Sequence, residues 1–386
     1  MNGINDAVLL LNLIKGGAVR FNNKCYGTTG KANEGSETTL PSEDEWSYVC
    51  TIMANLRDAG VTMLRTGMHD WQGTQAAMSA GADVVAEKCL LMLDAAKLYG
   101  IKVVIVLGGF SDASTAANGS RLFEVGSPVY ELFVQYAAGV ADALHDTNVE
   151  LVELVNEPDY VSITWASVDK FIEWETNILA DVRARQSKPG VPLGMGTAVD
   201  SSLYPMDWWG EMSGQKKVID SILRPCDVAS VHTYIGEPSS YARKVWTEQK
   251  VPAFKAAAKR LGKKLIIGET GLLYAGGTYD AGMASALKDV PHCWMVRKHD
   301  PKVYTVPTIP NRPSSTPAPE TPAGPTSEDL NEPPAQGTPE ASVVELPVIE
   351  EPPVVEPTPE PPPTVKRTWA QAFMDFVSKW FRNCSW

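Results

Sequence analysis

Val152-Glu153-Leu154-Val155-Asn156-Glu157-Pro158 and Lys264-Leu265-Ile266-Ile267-Gly268-Glu269-Thr270-Gly271 decide the fold. Each is a short run of β-branched residues and leucine, which reads as a strand of a parallel sheet buried on both faces. Asn-Glu-Pro and Gly-Glu-Thr-Gly then stop the run and open a loop. Glu157 and Glu269 therefore stand at the carboxyl ends of two different strands.

Outward from these two strands, helix and strand patterns alternate. The pattern predicts helices over 42–59, 82–99, 128–145, 167–186, 216–223 and 251–261, the first with Ser42 and Glu45 spaced as a capping box. Strands are predicted over 61–65, 101–107, 149–155, 192–197, 227–232 and 264–268. Weaker runs at 18–22 and 292–296 supply a first and an eighth strand, and there the barrel is expected to be irregular. Repeated βα units with right-handed crossovers favour a barrel or a doubly wound sheet. No glycine-rich phosphate loop follows the early strands, which weakens the nucleotide-binding alternative. The expected fold is an α/β (β/α)₈ TIM barrel over 1–300, whose active site lies at the carboxyl ends of the strands.

Two carboxylates delivered by separate strands are what cleavage of a glycosidic bond requires. Either glutamate alone is more often a solvated loop residue, but the pair at matching strand ends is harder to dismiss. The chain of 386 residues carries a formal net charge of −12, which argues against a nucleic-acid partner because phosphate backbones are bound by clustered Lys and Arg. Six scattered cysteines lack the paired spacing of zinc or redox motifs, so buried free thiols are expected. No His-x-x-x-His stands near His69 or His232 and no Gly-x-Ser-x-Gly elbow is present, which disfavours metal hydrolysis and Ser-His-Asp chemistry. No metal or organic cofactor is called for. The apolar run at 7–14 has no basic residue before it and is too short to span a bilayer, so it makes a poor signal peptide. Localisation stays open, with extracellular or virion-associated action compatible.

Composition changes near residue 300. The segment 301–366 holds about two-thirds of the 29 prolines, with many Glu, Thr and Ser, and is expected to be a disordered Pro/Glu-rich linker. In 367–386, Trp369, Ala372, Phe373, Phe376, Val377, Trp380 and Phe381 recur at helical spacing behind Thr368 as N-cap. This amphipathic helix is expected to act as an anchor on a protein or membrane surface.

The chain resembles the clan A glycoside hydrolases, the (β/α)₈ retaining enzymes that include cellulases, mannanases and β-xylosidases. The resemblance rests on Asn156-Glu157-Pro158, Gly268-Glu269, Val231-His232-Thr233-Tyr234 and Leu64-Arg65-Thr66-Gly67, and covers most of 18–296. It implies Glu157 as acid/base and Glu269 as nucleophile on a polysaccharide or oligosaccharide substrate. Asn156 would hold the sugar hydroxyl beside the reacting carbon, Arg65 would keep the nucleophile ionised, and His232 and Tyr234 would line the site. Many cellulase-like members carry a histidine after the third strand; here that position reads Leu107-Gly108-Gly109-Phe110, so the contact is missing or falls to His69 or Asp70. The run Arg65 to Trp71 looks closer to the β-xylosidase-like branch. Trp294 would floor the sugar site or else belong to the core, and Trp71, Tyr204, Trp208 and Trp209 would stack on sugars or simply pack. A non-catalytic carbohydrate-binding or structural barrel is the competing reading, against which both carboxylates and Arg65 argue. An aldolase-type barrel would need a buried lysine at a strand end, where glutamates stand instead.

Overall fold

The computed structural model describes residues 2–6, 9–15, 20–22, 37–39, 44–69, 71–109, 121–159, 167–198, 216–237, 239–273 and 279–294. The expected linker at 301–366 and helix at 367–386 lie outside the described residues, as do Asp70, Tyr204, Trp208 and Trp209. Among the described residues no helix is long and apolar enough to cross a membrane.

In chain order the elements are β1 (Asn2–Asp6), α1 (Leu9–Lys15), β2 (Arg20–Asn22), β3 (Glu37–Thr39), α2 (Glu45–Asp58), β4 (Met63–Gly67), α3 (Trp71–Ala80), α4 (Ala82–Leu98) and β5 (Lys102–Val106). They continue with α5 (Pro128–Ala143), β6 (Leu151–Asn156), α6 (Val168–Arg185), β7 (Leu193–Ala198), α7 (Lys216–Leu223) and β8 (Ala229–Ile235). The last are α8 (Ser240–Val245), α9 (Val251–Leu261), β9 (Leu265–Leu272), α10 (Ala281–Ala286) and β10 (His292–Trp294). Eight parallel strands close in the order β1-β10-β9-β8-β7-β6-β5-β4, which is the (β/α)₈ barrel that the alternating pattern predicts.

The first barrel strand is not the predicted one. Residues 20–22 pair antiparallel with 37–39 in a separate two-stranded sheet, while Asn2–Asp6 fills the gap between β10 and β4. Gly3 fits this seat because it has no side chain: a Cβ there would lie 2.5 Å from the His292 carbonyl and 2.8 Å from Cys293 Sγ. The described part of the apolar run at 7–14 lies in α1, which buries Leu9, Leu10 and Leu13.

Local chemistry sets the helix starts. Helix α2 begins after Asp44, not Ser42, because the Asp44 carboxylate accepts from Ser47 N at 2.8 Å and Ser47 Oγ at 2.7 Å. Ser127 and Ser167 cap α5 and α6 in the same way. The helix predicted over 251–261 is α9, and α8 precedes it in a stretch that the pattern leaves as loop. Pro252 cannot donate a backbone N–H, and a π-helical turn over Trp246–Lys250 joins α8 to α9 just before it. Helix α3 occupies a stretch that the pattern leaves as loop.

Inside the barrel, period-two alternation along the strands makes layers. Met63, Val104, Leu151, Val228, Ile266 and Cys293 form an apolar cluster. Two residues further along the same strands stand Arg65, Val106, Glu153, Ser230 and Gly268, so the polar cluster begins in this layer. Cys50, Cys89, Cys226 and Cys293 are buried free thiols, as expected.

Candidate active site

Glu157 follows β6 and carries φ 47°, the one positive φ outside glycine among the described residues. A side-chain-bearing residue adopts this left-handed conformation only where its surroundings enforce it. Backbone hydrogen bonds do so here: Asn156 N donates to Gly108 O and Glu157 N to Gly196 O, each at 2.7 Å. The carboxyl of Glu157 is 25% exposed, whereas that of Glu269, on β9, is 5% exposed. One carboxylate oxygen of each and His232 Nδ1 all lie within 4.8 Å of one another.

The two carboxyls have unlike neighbours. Arg65 Nη1 donates to Glu269 Oε1 at 2.7 Å, and Asn5 Nδ2 reaches the same oxygen at 3.1 Å. Tyr234 Oη donates to Glu269 Oε2 at 2.7 Å. Glu157 Oε1 instead meets His232 Nδ1 at 2.9 Å. Arg65 has no donor left for Glu157. Its remaining N–H groups reach Glu153 Oε2 from Nε (3.0 Å) and Nη2 (2.6 Å), Asn156 Oδ1 from Nη2 (2.7 Å) and Asn5 Oδ1 from Nη1 (3.2 Å).

Burial opposes the charge on Arg65, but the Glu153 and Glu269 carboxylates outweigh it and push its pKa up. Burial would likewise raise Glu153, and the facing Arg65 reverses this and holds it below the usual carboxylate range. His232 is driven down to about 4, first by burial, with Arg65 adding to it against the pull of Glu269 and Glu153. At neutral pH it is an uncharged imidazole. Burial, then the Glu269 and Glu157 carboxylates, push Tyr234 well above its ordinary value, so its hydroxyl keeps its proton.

His69 lies just past β4 with Nδ1 3.6 Å from Glu269 Oε1, and burial followed by Arg65 and His232 keeps it neutral. Trp71 opens α3 at 2% exposure, and Trp294 is 3% exposed with its ring 4.7 Å from that of Tyr279. Both belong to the main hydrophobic cluster, and packing is the role their surroundings support. Asn5, Glu153 and Ser230 are absent from the sequence reading. An acidic residue inside the apolar run of β6 was a legible signal for Glu153; Asn5 needed β1 to be recognised first.

Glu157, His232 and Glu269 also form a group of the kind that can hold a metal ion. A cation there would take up the same oxygens that the two-carboxylate chemistry uses.

The profile of the family described as cellulase, glycosyl hydrolase family 5, matches residues 29–298. None of the curated proteins matches the chain in sequence. Among solved structures, a GH5_18 protein from Streptomyces cattleya in complex with Manβ1-4GlcNAc is 16% identical, with TM-score 0.51 and 69% of each chain covered. An endo-β-1,4-mannanase from Thermotoga petrophila is 15% identical over 64% of this chain, with TM-score 0.45; the chain spans 63% of that enzyme. A Pseudomonas stutzeri endoglucanase is 15% identical, with TM-score 0.43, 76% of this chain and 84% of that one covered. At 16% identity the likeness to the Streptomyces cattleya protein speaks for the fold alone, and the family profile, which spans the barrel from before α2 to β10, carries the assignment. The chain belongs to the cellulase family, glycosyl hydrolase family 5, a family of retaining (β/α)₈ glycoside hydrolases.

Proposed function

We propose that this barrel hydrolyses β-glycosidic bonds of a polysaccharide or oligosaccharide with retention, using Glu269 as nucleophile and Glu157 as acid/base. The observation that carries the reading is the asymmetry between two carboxyls whose oxygens lie within 4.8 Å. A retaining mechanism calls for about 5 Å between them, one ionised and one protonated. Arg65, Asn5 and Tyr234 all donate to Glu269, which favours its carboxylate. A neutral imidazole faces Glu157 and suits either of its protonation states.

In the first step Glu157 gives its proton to the departing glycosidic oxygen while a Glu269 oxygen forms an ester with the anomeric carbon. Oε2 is the oxygen poised for this, since it accepts from the Tyr234 hydroxyl while Oε1 accepts from both the Arg65 cation and Asn5. His232 Nδ1 is the partner of Glu157 Oε1, and its uncharged imidazole adds no cation beside the acid. In the second step the Glu157 carboxylate takes a proton from water, which attacks the anomeric carbon and frees Glu269. Arg65 holds the Asn156 carbonyl, so the Asn156 amide N–H groups are the ones turned to a sugar hydroxyl. His69 supplies a neutral donor or acceptor beside Glu269.

The test is a screen of the full chain against β-1,4-linked mannan, glucan and xylan for released reducing ends, beside Glu157→Ala and Glu269→Ala. The parent is expected to release ends and both variants to lose this. With an activated aryl glycoside and azide, Glu157→Ala should yield a β-glycosyl azide and Glu269→Ala an α-glycosyl azide, which separates the two roles. Release by neither parent nor variants, with glycan binding equal in all three, would sink the hydrolase reading in favour of a non-catalytic binding barrel.

A further inference from the structure

Glu153 is a third carboxylate in the barrel, and the two-glutamate chemistry does not use it. It is fully buried on β6, and its Oε2 accepts both Nε and Nη2 of Arg65. Its Oε1 accepts from Ser230 Oγ at 2.6 Å. Gly196 on the neighbouring strand leaves room for this contact: a Cβ there would lie 2.6 Å from Glu153 Oε2 and 2.9 Å from Arg65 Nη2. A guanidinium offers a planar fork that would otherwise engage a single carboxylate with two parallel hydrogen bonds. Here that two-donor edge is turned to Glu153, and the nucleophile receives one N–H, from Nη1.

We propose that Glu153 is a positioning residue for the nucleophile: it fixes the orientation of Arg65 and takes two of its N–H groups, so that Glu269 receives one N–H on Oε1 and keeps Oε2 for attack. The proposal rests on the assignment of Glu269 as nucleophile. A carboxylate clamped by two N–H bonds of an undivided cation is a weaker nucleophile, because each bond draws charge from the attacking oxygens. Buried in one layer, Arg65 lies between two anions and the cluster keeps one net negative charge. The groups facing Glu269 are Arg65 on β4 and His69 after it, His232 and Tyr234 on β8, Glu157 after β6, the uncharged Asn5 on β1, and the Cys293 thiol on β10. None of them is altered in the variants below.

The experiment uses the full chain with 2,4-dinitrophenyl 2-deoxy-2-fluoro-β-cellobioside and its mannobioside counterpart. Dinitrophenolate leaves with the bonding electron pair and needs no acid, so the labelling rate follows ionisation of Glu269, and intact mass reports the ester. Glu153→Gln keeps an oxygen for Arg65 and removes the charge. The acid limb of its labelling profile should move about one pH unit lower, with the plateau rate falling about tenfold. Ser230→Ala removes the hydroxyl that screens Glu153, and its limb should move upward by roughly 0.3 pH units. A limb that does not move, or moves upward, in folded Glu153→Gln overturns the proposal. Should that variant fail to fold by circular dichroism, Ser230→Ala decides, and an unmoved limb there overturns it. Absence of labelling of the parent by both probes overturns the hydrolase reading and this inference with it, whereas labelling with unmoved limbs overturns this inference alone.

Discussion

Glu153 and Glu175 are both fully buried glutamates, one inside the barrel and one on α6 outside it, yet their protons behave in opposite ways. Glu153 meets an arginine and a serine hydroxyl and stays below the usual carboxylate range. Glu175 Oε1 meets the Cys226 thiol at 3.5 Å, and its Oε2 has no hydrogen-bond partner. Burial, then the Asp159 carboxylate, push Glu175 well above its ordinary value, with Cys226 and Lys263 offsetting only part. Equal burial therefore says little about charge; the donors supplied with it decide. The barrel interior keeps a buried ion, while the shell keeps a buried proton.

The largest test of this contrast removes the cation. Arg65→Met leaves Glu153 and Glu269 facing each other unpaired, and should cost about 3–5 kcal/mol in urea unfolding together with loss of glycan hydrolysis. Crowding the same layer comes next. Gly196→Ala places a methyl 2.8 Å from His232 Nε2 as well as against Glu153 and Arg65, and should cost about 1–3 kcal/mol and depress kcat.

On the shell side the effect is pH-dependent. In the unfolded chain Glu175 ionises near 4.5, whereas the folded carboxyl holds its proton to higher pH. The unfolded state then releases a proton first, so the stability associated with Glu175 is complete below pH 4.5 and declines as pH rises through the folded pKa. Glu175→Gln should match the parent in Tm near pH 4.5 and exceed it by about 3 °C at pH 8 in thermal melts. A gap that is the same at both pH values would break the contrast. The smallest effect is expected from Cys226→Ser, which gives Glu175 a stronger donor and should narrow that alkaline gap by about 0.5–1 kcal/mol.

The alternation of apolar strands with amphipathic helices made the barrel legible, because β5, β6 and β9 are buried along nearly their whole length. The same runs placed Glu157 just past the end of β6, whereas Glu269, expected at a strand end, stands inside β9, which runs on to Leu272. Arg65, His232, Tyr234, Asn156 and His69 lie in one cluster with them. β1 was not legible: Asn-Gly-Ile-Asn-Asp has turn composition, and it is a strand because β4 and β10 hold it by backbone hydrogen bonds. Asn5 was lost with it. Trp71 and Trp294 are buried among apolar side chains, and the sequence left each of them two roles because an aromatic near a strand end looks alike whether it meets sugar or core. Ser42 lost the cap to Asp44 through a contact of a few ångströms that spacing alone does not rank.

Arg65 commits five hydrogen bonds to Glu153, Glu269, Asn5 and Asn156. A guest bearing its own carboxylate would find no free guanidinium hydrogen on Arg65. The one arginine of this cluster is thereby spent on the protein's own groups before any guest arrives.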